Sequence, residues 1–163
     1  MRILLSSLAL LSVLAIAPAA HADTFNFVAS GTGGGFSGSG TFTATSNGDG
    51  SFTIDSISGT GITGLIPPGG FEGNDNLLFP AGPSLFDTKG FAFDDTQGNT
   101  SFQVDIHSTG SGTYAASFLD SDGVAATIPV TVSVSEVPEP SSLLLLSTGC
   151  IGVVGIVRRR FSV

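Results

Sequence analysis

The sequence predicts an all-β protein whose body is an antiparallel β-sandwich or a barrel-like sheet. Apolar and polar residues alternate through most of residues 23–136, and this two-residue period is typical of half-buried strands. Gly, Asn and Asp separate the alternating segments, as hairpin turns require. The body lacks the period of about 3.6 residues that marks an amphipathic helix, so we expect strands throughout.

The alternating segments predict roughly eight to ten short strands. The clearest of them are residues 25–29, 41–45, 52–55, 91–93, 102–107, 114–118 and 128–135. Ile57 is out of phase with the apolar residues before it, which predicts a β-bulge near Ser56. Pro129 lacks the N–H that a central strand needs, so the last strand is predicted at an edge of the sheet. The Pro- and Gly-rich segment 59–87 is predicted to be a long ordered connection with one short strand.

Burial of Phe is predicted to stabilise the body, because twelve of the thirteen Phe residues lie in it and the chain has no Trp. The single cysteine, Cys150, lies outside the body, which therefore cannot contain an internal disulfide. Twelve acids and one lysine give the body a net charge of −11. This charge repels phosphate backbones and argues against nucleic-acid binding. It is compatible with binding of divalent cations, or it simply keeps an extracellular protein soluble.

The N-terminal segment 1–22 is predicted to be a signal peptide. Arg2 provides a short basic start, and an uncharged apolar stretch follows it. Ala20 and Ala22 form the small-x-small pattern that signal peptidase recognises, so the mature chain is expected to begin at Asp23. The body, residues 23–136, is therefore predicted to be an extracytoplasmic domain.

The C-terminal region 137–163 is predicted to anchor the precursor in a membrane. An uncharged run at about 141–157 is close to the lower limit of about 17 residues for a membrane-spanning helix. The run is followed at once by Arg158, Arg159 and Arg160. Because basic residues stay on the cytoplasmic side, the body is expected on the opposite side, in agreement with the signal peptide.

A short sequence between the body and this helix has two prolines that flank an acid: Val137, Pro138, Glu139 and Pro140. The prolines disfavour helix and hold the segment extended, which is the conformation that a protease binds. Together with the two serines, the leucine run, the glycines and the arginine cluster that follow, this order resembles the PEP-CTERM sorting domain. The resemblance implies that exosortase, a membrane protease-transpeptidase, recognises the motif and cleaves nearby.

The same resemblance implies a location and a partner. Chains with this domain occur in Gram-negative, exopolysaccharide-producing bacteria, which makes exopolysaccharide a candidate partner. The precursor is expected to be anchored in the inner membrane through its C-terminal helix, and the mature form to be at the cell surface or extracellular. The body between residues 59 and 93 also resembles a recurring group of small PEP-CTERM proteins, from which no activity is implied.

The acidic turns suggest one cofactor, calcium. Asp120 and Asp122 are spaced like the first ligands of a calcium loop, and Asp75, Asp94 and Asp95 offer oxygens from other turns. An EF-hand is excluded because a Thr occupies the position of its bidentate Glu, and calcium prefers about six to eight oxygen ligands. Asp-Gly turns also arise for backbone reasons alone, so both interpretations stay open.

No catalytic arrangement is recognisable in the sequence. His107, the one His of the body, is predicted to be exposed on the outward face of a strand beside Asp105. The Gly-x-Gly-x-x-Gly sequence at 59–64 leads into prolines instead of a helix, so it is not expected to bind phosphate. We expect a non-enzymatic secreted surface or exopolysaccharide-matrix protein. The alternative is a carbohydrate- or calcium-binding β-module that serves adhesion or biofilm.

Overall fold

The computed structural model describes residues 22–33 and 35–138, which form an all-β antiparallel sheet without helices. Its nine strands are β1 (Ala22–Gly31), β2 (Ser37–Ser46), β3 (Phe52–Gly59), β4 (Ile62–Leu65), β5 (Leu77–Leu78), β6 (Phe91–Gln97), β7 (Thr100–Gly110), β8 (Thr113–Asp120) and β9 (Ala125–Glu136). The strand order is β4-β6-β7-β8-β9-β1-β2-β3-β5. The sheet curls into a half-barrel, which confirms the all-β expectation. Most of the predicted signal peptide and the predicted C-terminal helix lie outside the described residues.

The last strand is not an edge strand, so the prediction from Pro129 is wrong. β9 pairs with β8 on one side and with β1 on the other. The Pro129 carbonyl accepts a hydrogen bond from the Thr32 amide at 3.1 Å, just beyond the end of β1. In an antiparallel strand the N–H and C=O of one residue face the same neighbour. The nitrogen of Pro129 therefore faces the end of β1. The N–H that proline lacks would have donated beyond the last residue pair of β1 and β9, so the hydrogen bonds between these strands are little affected.

The predicted bulge is present, and Asp55 is its extra residue. Thr43 pairs with Ser56 and Ala44 pairs with Ile54, so Asp55 has no partner across the ladder. Its carboxylate instead accepts a hydrogen bond from the Thr45 hydroxyl at 2.7 Å. The connection between β3 and β6 contains two short strands, β4 and β5, where one was predicted.

Phenylalanine rings fill the inside of the half-barrel, as the composition predicts. The fully buried rings are Phe25, Phe27, Phe42, Phe86, Phe91 and Phe93. Phe27 stacks on Phe42 with ring centroids 5.6 Å apart, and Phe91 stacks on Phe93 at the same distance. Each buried Phe stabilises the fold by about 1.5–3 kcal/mol relative to an exposed one. The Tyr114 hydroxyl accepts a hydrogen bond from the Leu85 amide at 2.7 Å and ties the loop before β6 to the core.

Two buried asparagines join the two edges of the curled sheet. The Asn76 carbonyl accepts a hydrogen bond from the Ile54 amide of β3 at 2.9 Å, while its side-chain Oδ1 accepts one from the Ala92 amide of β6 at 3.2 Å. The side-chain amides of Asn74 and Asn76 both donate to the Ile66 carbonyl. Asn76 thus connects β3 to β6 and to the residue that follows β4. Asn76 has a φ of +58°, a conformation that Asn tolerates better than most residues.

Candidate functional site

The pairing of β1 with β9 places both ends of the body at one end of the half-barrel. Phe25 lies opposite Glu136, and the Val137 amide donates a hydrogen bond to the Thr24 carbonyl at 2.8 Å. We call this the terminal end. The opposite end, which we call the open end, is formed by the turns after β1, β6 and β8, at residues 32–33 and 35–36, 98–99 and 121–124.

The sorting motif begins where the sheet stops. Val137 is half-buried and still bonded to β1, whereas Pro138 is exposed and has no N–H with which to extend the ladder. Ala22 is the first residue of β1 and lies opposite Thr45. The remaining predicted processing residues lie outside the described residues: Ala20, Glu139, Pro140, Arg158, Arg159 and Arg160.

Two aspartates face inward at the open end. In β6 the inward alternation runs through Phe91 and Phe93 to Asp95, which is only 7% exposed. Phe102 of β7 pairs with Asp95 on one side and with Asp120 of β8 on the other. The last inward row of these three strands is therefore an aromatic ring between two carboxylates. Sequence alternation alone already places Asp95 on the face of the buried Phe residues.

A cavity of about 270 Å³ opens beside this row. It is lined by Gly35, Phe36, Asp95, Gln97, Phe102, Phe118, Asp120, Val124, Ala126 and Ile128. The rings of Phe36 and Phe118 meet edge to face with centroids 4.9 Å apart. A second groove shares Asp95 and is lined on its other side by Thr60 and Gly61. Asp95 therefore lines both the cavity, which is mostly apolar, and the neighbouring groove.

The two carboxylates at the cavity have different partners. The Gln97 side-chain amide donates to Asp95 Oδ2 at 3.3 Å, a long hydrogen bond. Asp120 Oδ1 accepts from the amides of Asp122 at 2.9 Å and Val124 at 2.7 Å, and so holds the turn between β8 and β9. Asp120 thus shapes the rim of the cavity, while Asp95 keeps more of its hydrogen-bonding capacity.

Of the five aspartates that the sequence offers to calcium, the structure places four at the open end and the fifth, Asp75, elsewhere. Asp94 and Asp120 line a neighbouring groove at the open end, and Asp122 is exposed in the turn. Asp75 lies elsewhere, with its amide bonded to the Gly90 carbonyl before β6. Among residues 22–33 and 35–138, no group of three or more His, Cys, Asp or Glu side chains is arranged to hold a metal ion. Calcium binding stays a prediction from the sequence.

His107 is half-buried, not exposed as the alternation predicts. Its Nδ1 lies 2.7 Å from Oδ2 of Asp105, which is 1% exposed. The other carboxylate oxygen, Oδ1, is buried without a hydrogen-bond partner. Burial raises the pKa of Asp105 to about 6, His107 opposes this rise, and the charges of Glu72 and Asp75 add to it. The outward-facing Ala92 and Ser117 beside Asp105 are buried too, so this part of the outer face is covered.

The comparisons with known proteins define the class of the chain through its C-terminal region. Residues 136–160 match the PEP-CTERM protein-sorting motif. This match confirms the resemblance, and the β-rich body agrees with it. A motif of this kind is typical of exported, membrane-anchored precursors that exosortase processes, and the match supports that class for this chain.

The remaining comparisons add no relative. No curated protein and no solved structure is significantly similar to the chain. In the part of the chain that the structure describes, no helix is long and apolar enough to cross a membrane.

Proposed function

We propose that this chain is a non-enzymatic protein of the cell surface or exopolysaccharide matrix, released from its membrane anchor by cleavage at the sorting motif. The observation that supports this most directly is the sorting-motif match that begins at Glu136, the last residue of β9. All strand pairing precedes Pro138, so cleavage within the motif leaves every described strand intact.

The sequence supplies a physical reason for each step of processing. The signal peptide starts export, and the arginines at 158–160 stop the C-terminal run from being pulled through the bilayer. Each arginine costs at least about 2.5–3.5 kcal/mol at the membrane centre. Pro138 is exposed just after the last strand, and the prolines of the motif favour the extended conformation that a membrane-embedded protease binds.

Intact-mass spectrometry of the protein from its native host tests this processing. We expect the mature chain to begin at Asp23 and to lack the residues after the sorting motif. Glu139→Ala should slow removal of the tail, whereas Asp122→Ala, which removes one charge at an exposed turn outside the matched motif, should not. A dominant species that still ends at Val163 contradicts processing and leaves a simple membrane-anchored protein.

The outer face of β9, β1, β2 and β3 supports a matrix role. Its outward positions are mostly hydroxyl and amide side chains: Thr24, Asn26, Ser30, Ser37, Ser39, Thr41, Thr43, Thr45, Thr53, Ser56, Ser58, Thr127, Thr131, Ser133 and Ser135. The hydroxyls of Thr41 and Ser58 lie 2.8 Å apart, and those of Thr43 and Ser56 lie 2.7 Å apart. Such a face offers a neutral, hydrated polysaccharide many hydrogen-bonding partners within an otherwise acidic body.

Retention on exopolysaccharide isolated from the host tests this face. Ser39→Glu combined with Ser133→Glu introduces two charges at exposed outward positions and should reduce retention. Thr109→Glu combined with Thr113→Glu changes the charge equally at exposed positions near the turn between β7 and β8, and serves as the control. Equal retention of both variants and the parent protein removes this face from the proposal.

A further inference from the structure

We propose that the cavity at the open end binds a small amphipathic cation, a compact apolar group that bears a protonated amine. The apolar part would pack among Phe36, Phe102, Phe118 and Ile128, and the amine would donate hydrogen bonds to Asp95. This ligand site is independent of the sorting motif, because it lies at the end of the half-barrel opposite Pro138.

The inward position of Asp95 is the first observation that points to a cation. A carboxylate that is only 7% exposed is costly to bury unless a cation or several hydrogen-bond donors compensate it. Its side-chain partner in the described residues is the Gln97 amide at 3.3 Å, two residues along the same strand. Lys89, the one lysine of the body, lies 3.7 Å from Asp75 instead.

The backbone around Asp95 is shaped to keep this carboxylate in place. Gly61 has a φ of +84°, and a Cβ atom there would lie 2.5 Å from Asp95 Oδ1 and 2.9 Å from the Thr96 carbonyl oxygen. The Thr96 amide also donates to the Gly61 carbonyl at 2.8 Å. Because both the space and the positive φ require glycine, the chain passes Asp95 closely without covering it with a side chain.

The volume and lining of the cavity determine the size of the ligand, its apolar part and the sign of its charge. A cavity of about 150 Å³ holds one benzene molecule, so 270 Å³ suits about ten non-hydrogen atoms. Six apolar side chains line the cavity, and Asp95, Gln97 and Asp120 provide the polar atoms. An apolar pocket with a few convergent polar groups is the usual form of a small-molecule site. Two carboxylates and no nearby lysine select a cation over an anion.

Titration of the mature protein from its host with 2-phenylethylammonium tests the proposal, with binding followed by calorimetry and by saturation-transfer NMR. The neutral isostere 2-phenylethanol and the anion phenylacetate are the matched ligands. We expect the cation to bind on the order of tenfold tighter than the alcohol, because a charge-assisted hydrogen bond is about twice as strong as a neutral one. Phenylacetate should not bind detectably.

Two variants locate the site. Asp95→Asn should lower the affinity for the cation to about that of the alcohol. Asp94→Asn makes the same charge change on the preceding residue of β6, which faces outward, and should leave affinity nearly unchanged. Ala126→Phe, at an exposed position that lines the cavity, should block both ligands.

Three results overturn the proposal. One is the absence of cation binding up to millimolar concentration. Another is binding of the cation, the alcohol and phenylacetate with equal affinity, which indicates a merely apolar hollow. The third is stabilisation by calcium chloride that Asp95→Asn abolishes while 2-phenylethylammonium has no effect, which assigns the carboxylates to a metal ion.

Discussion

Asp105→Asn is expected to stabilise the protein above pH 6. The substitution keeps the shape of the side chain and removes a charge that is almost fully buried. The amide nitrogen can donate to Nδ1 of His107, where Asp105 Oδ2 now lies at 2.7 Å, and the amide oxygen takes the place of the unpartnered Oδ1. The variant therefore relieves the cost of burying a carboxylate without creating a new unsatisfied group.

The size and sign of the effect follow from the pKa of Asp105. Burial raises this pKa from 3.8 to about 6, so the folded state keeps its proton over a pH range where the unfolded state has lost it. The free energy of unfolding must therefore fall as the pH rises from about 4 to about 6. A shift of about two pKa units corresponds to about 3 kcal/mol, and solvent screening reduces the expected gain to about 1–2 kcal/mol.

Urea unfolding of the mature protein at pH 4 and pH 8 measures this difference. Asp105→Asn should be more stable than the parent protein at pH 8 and nearly equal to it at pH 4. Asp122→Asn, at an exposed position in the turn after β8, is the control and should follow the parent protein at both values. The reasoning is refuted if Asp105→Asn is less stable at pH 8, or loses as much stability between the two pH values as the parent does.

Three further predictions concern stability. Asn76→Ala should cost about 2–4 kcal/mol in urea unfolding, because the buried Ala92 amide loses its acceptor, the Ile66 carbonyl loses one of its two donors, and an Ala must adopt the φ of +58°; Asn99→Ala in an exposed turn should change little. Tyr114→Phe should cost about 1 kcal/mol and loosen the loop that Leu85 holds, visible as faster hydrogen exchange there. Thermal melts with millimolar calcium and with chelator should differ if the acidic turns bind calcium, and Asp120→Ala should remove the difference; identical melts contradict calcium binding.

Local patterns predict the elements of this fold well, because each strand carries its own alternation. The inward Phe residues, the turns and the bulge at Asp55 all follow from neighbours in sequence. The position of β9 could not be predicted in this way, because its pairing with β1 joins residues near opposite ends of the body. Pro129 was misleading for the same reason, since its effect depends on where β1 ends.

The candidate site was predictable only in part. Asp95 continues the inward alternation of Phe91 and Phe93, so its position facing the core follows from the sequence. The alternation also places Asp105 and His107 on the outward face, yet nothing in it indicates that this face is covered. The grouping of acids from different segments depends on long-range contacts: Asp75 lies beside Gly90 before the start of β6, whereas Asp94 and Asp95 lie near the end of this strand.

The pairing of β1 with β9 also sets an order of events during export. β1 is the first strand to leave the membrane, but one of its edges stays open until β9 has followed it, and an open edge invites pairing with other chains. β9 directly precedes the sorting motif, so the sheet can be completed only after nearly the whole body has been exported. If the protease binds the motif only after Val137 has paired with β1, cleavage follows the folding of the body. Variants that weaken the pairing of β9 should accordingly delay removal of the tail as well as folding.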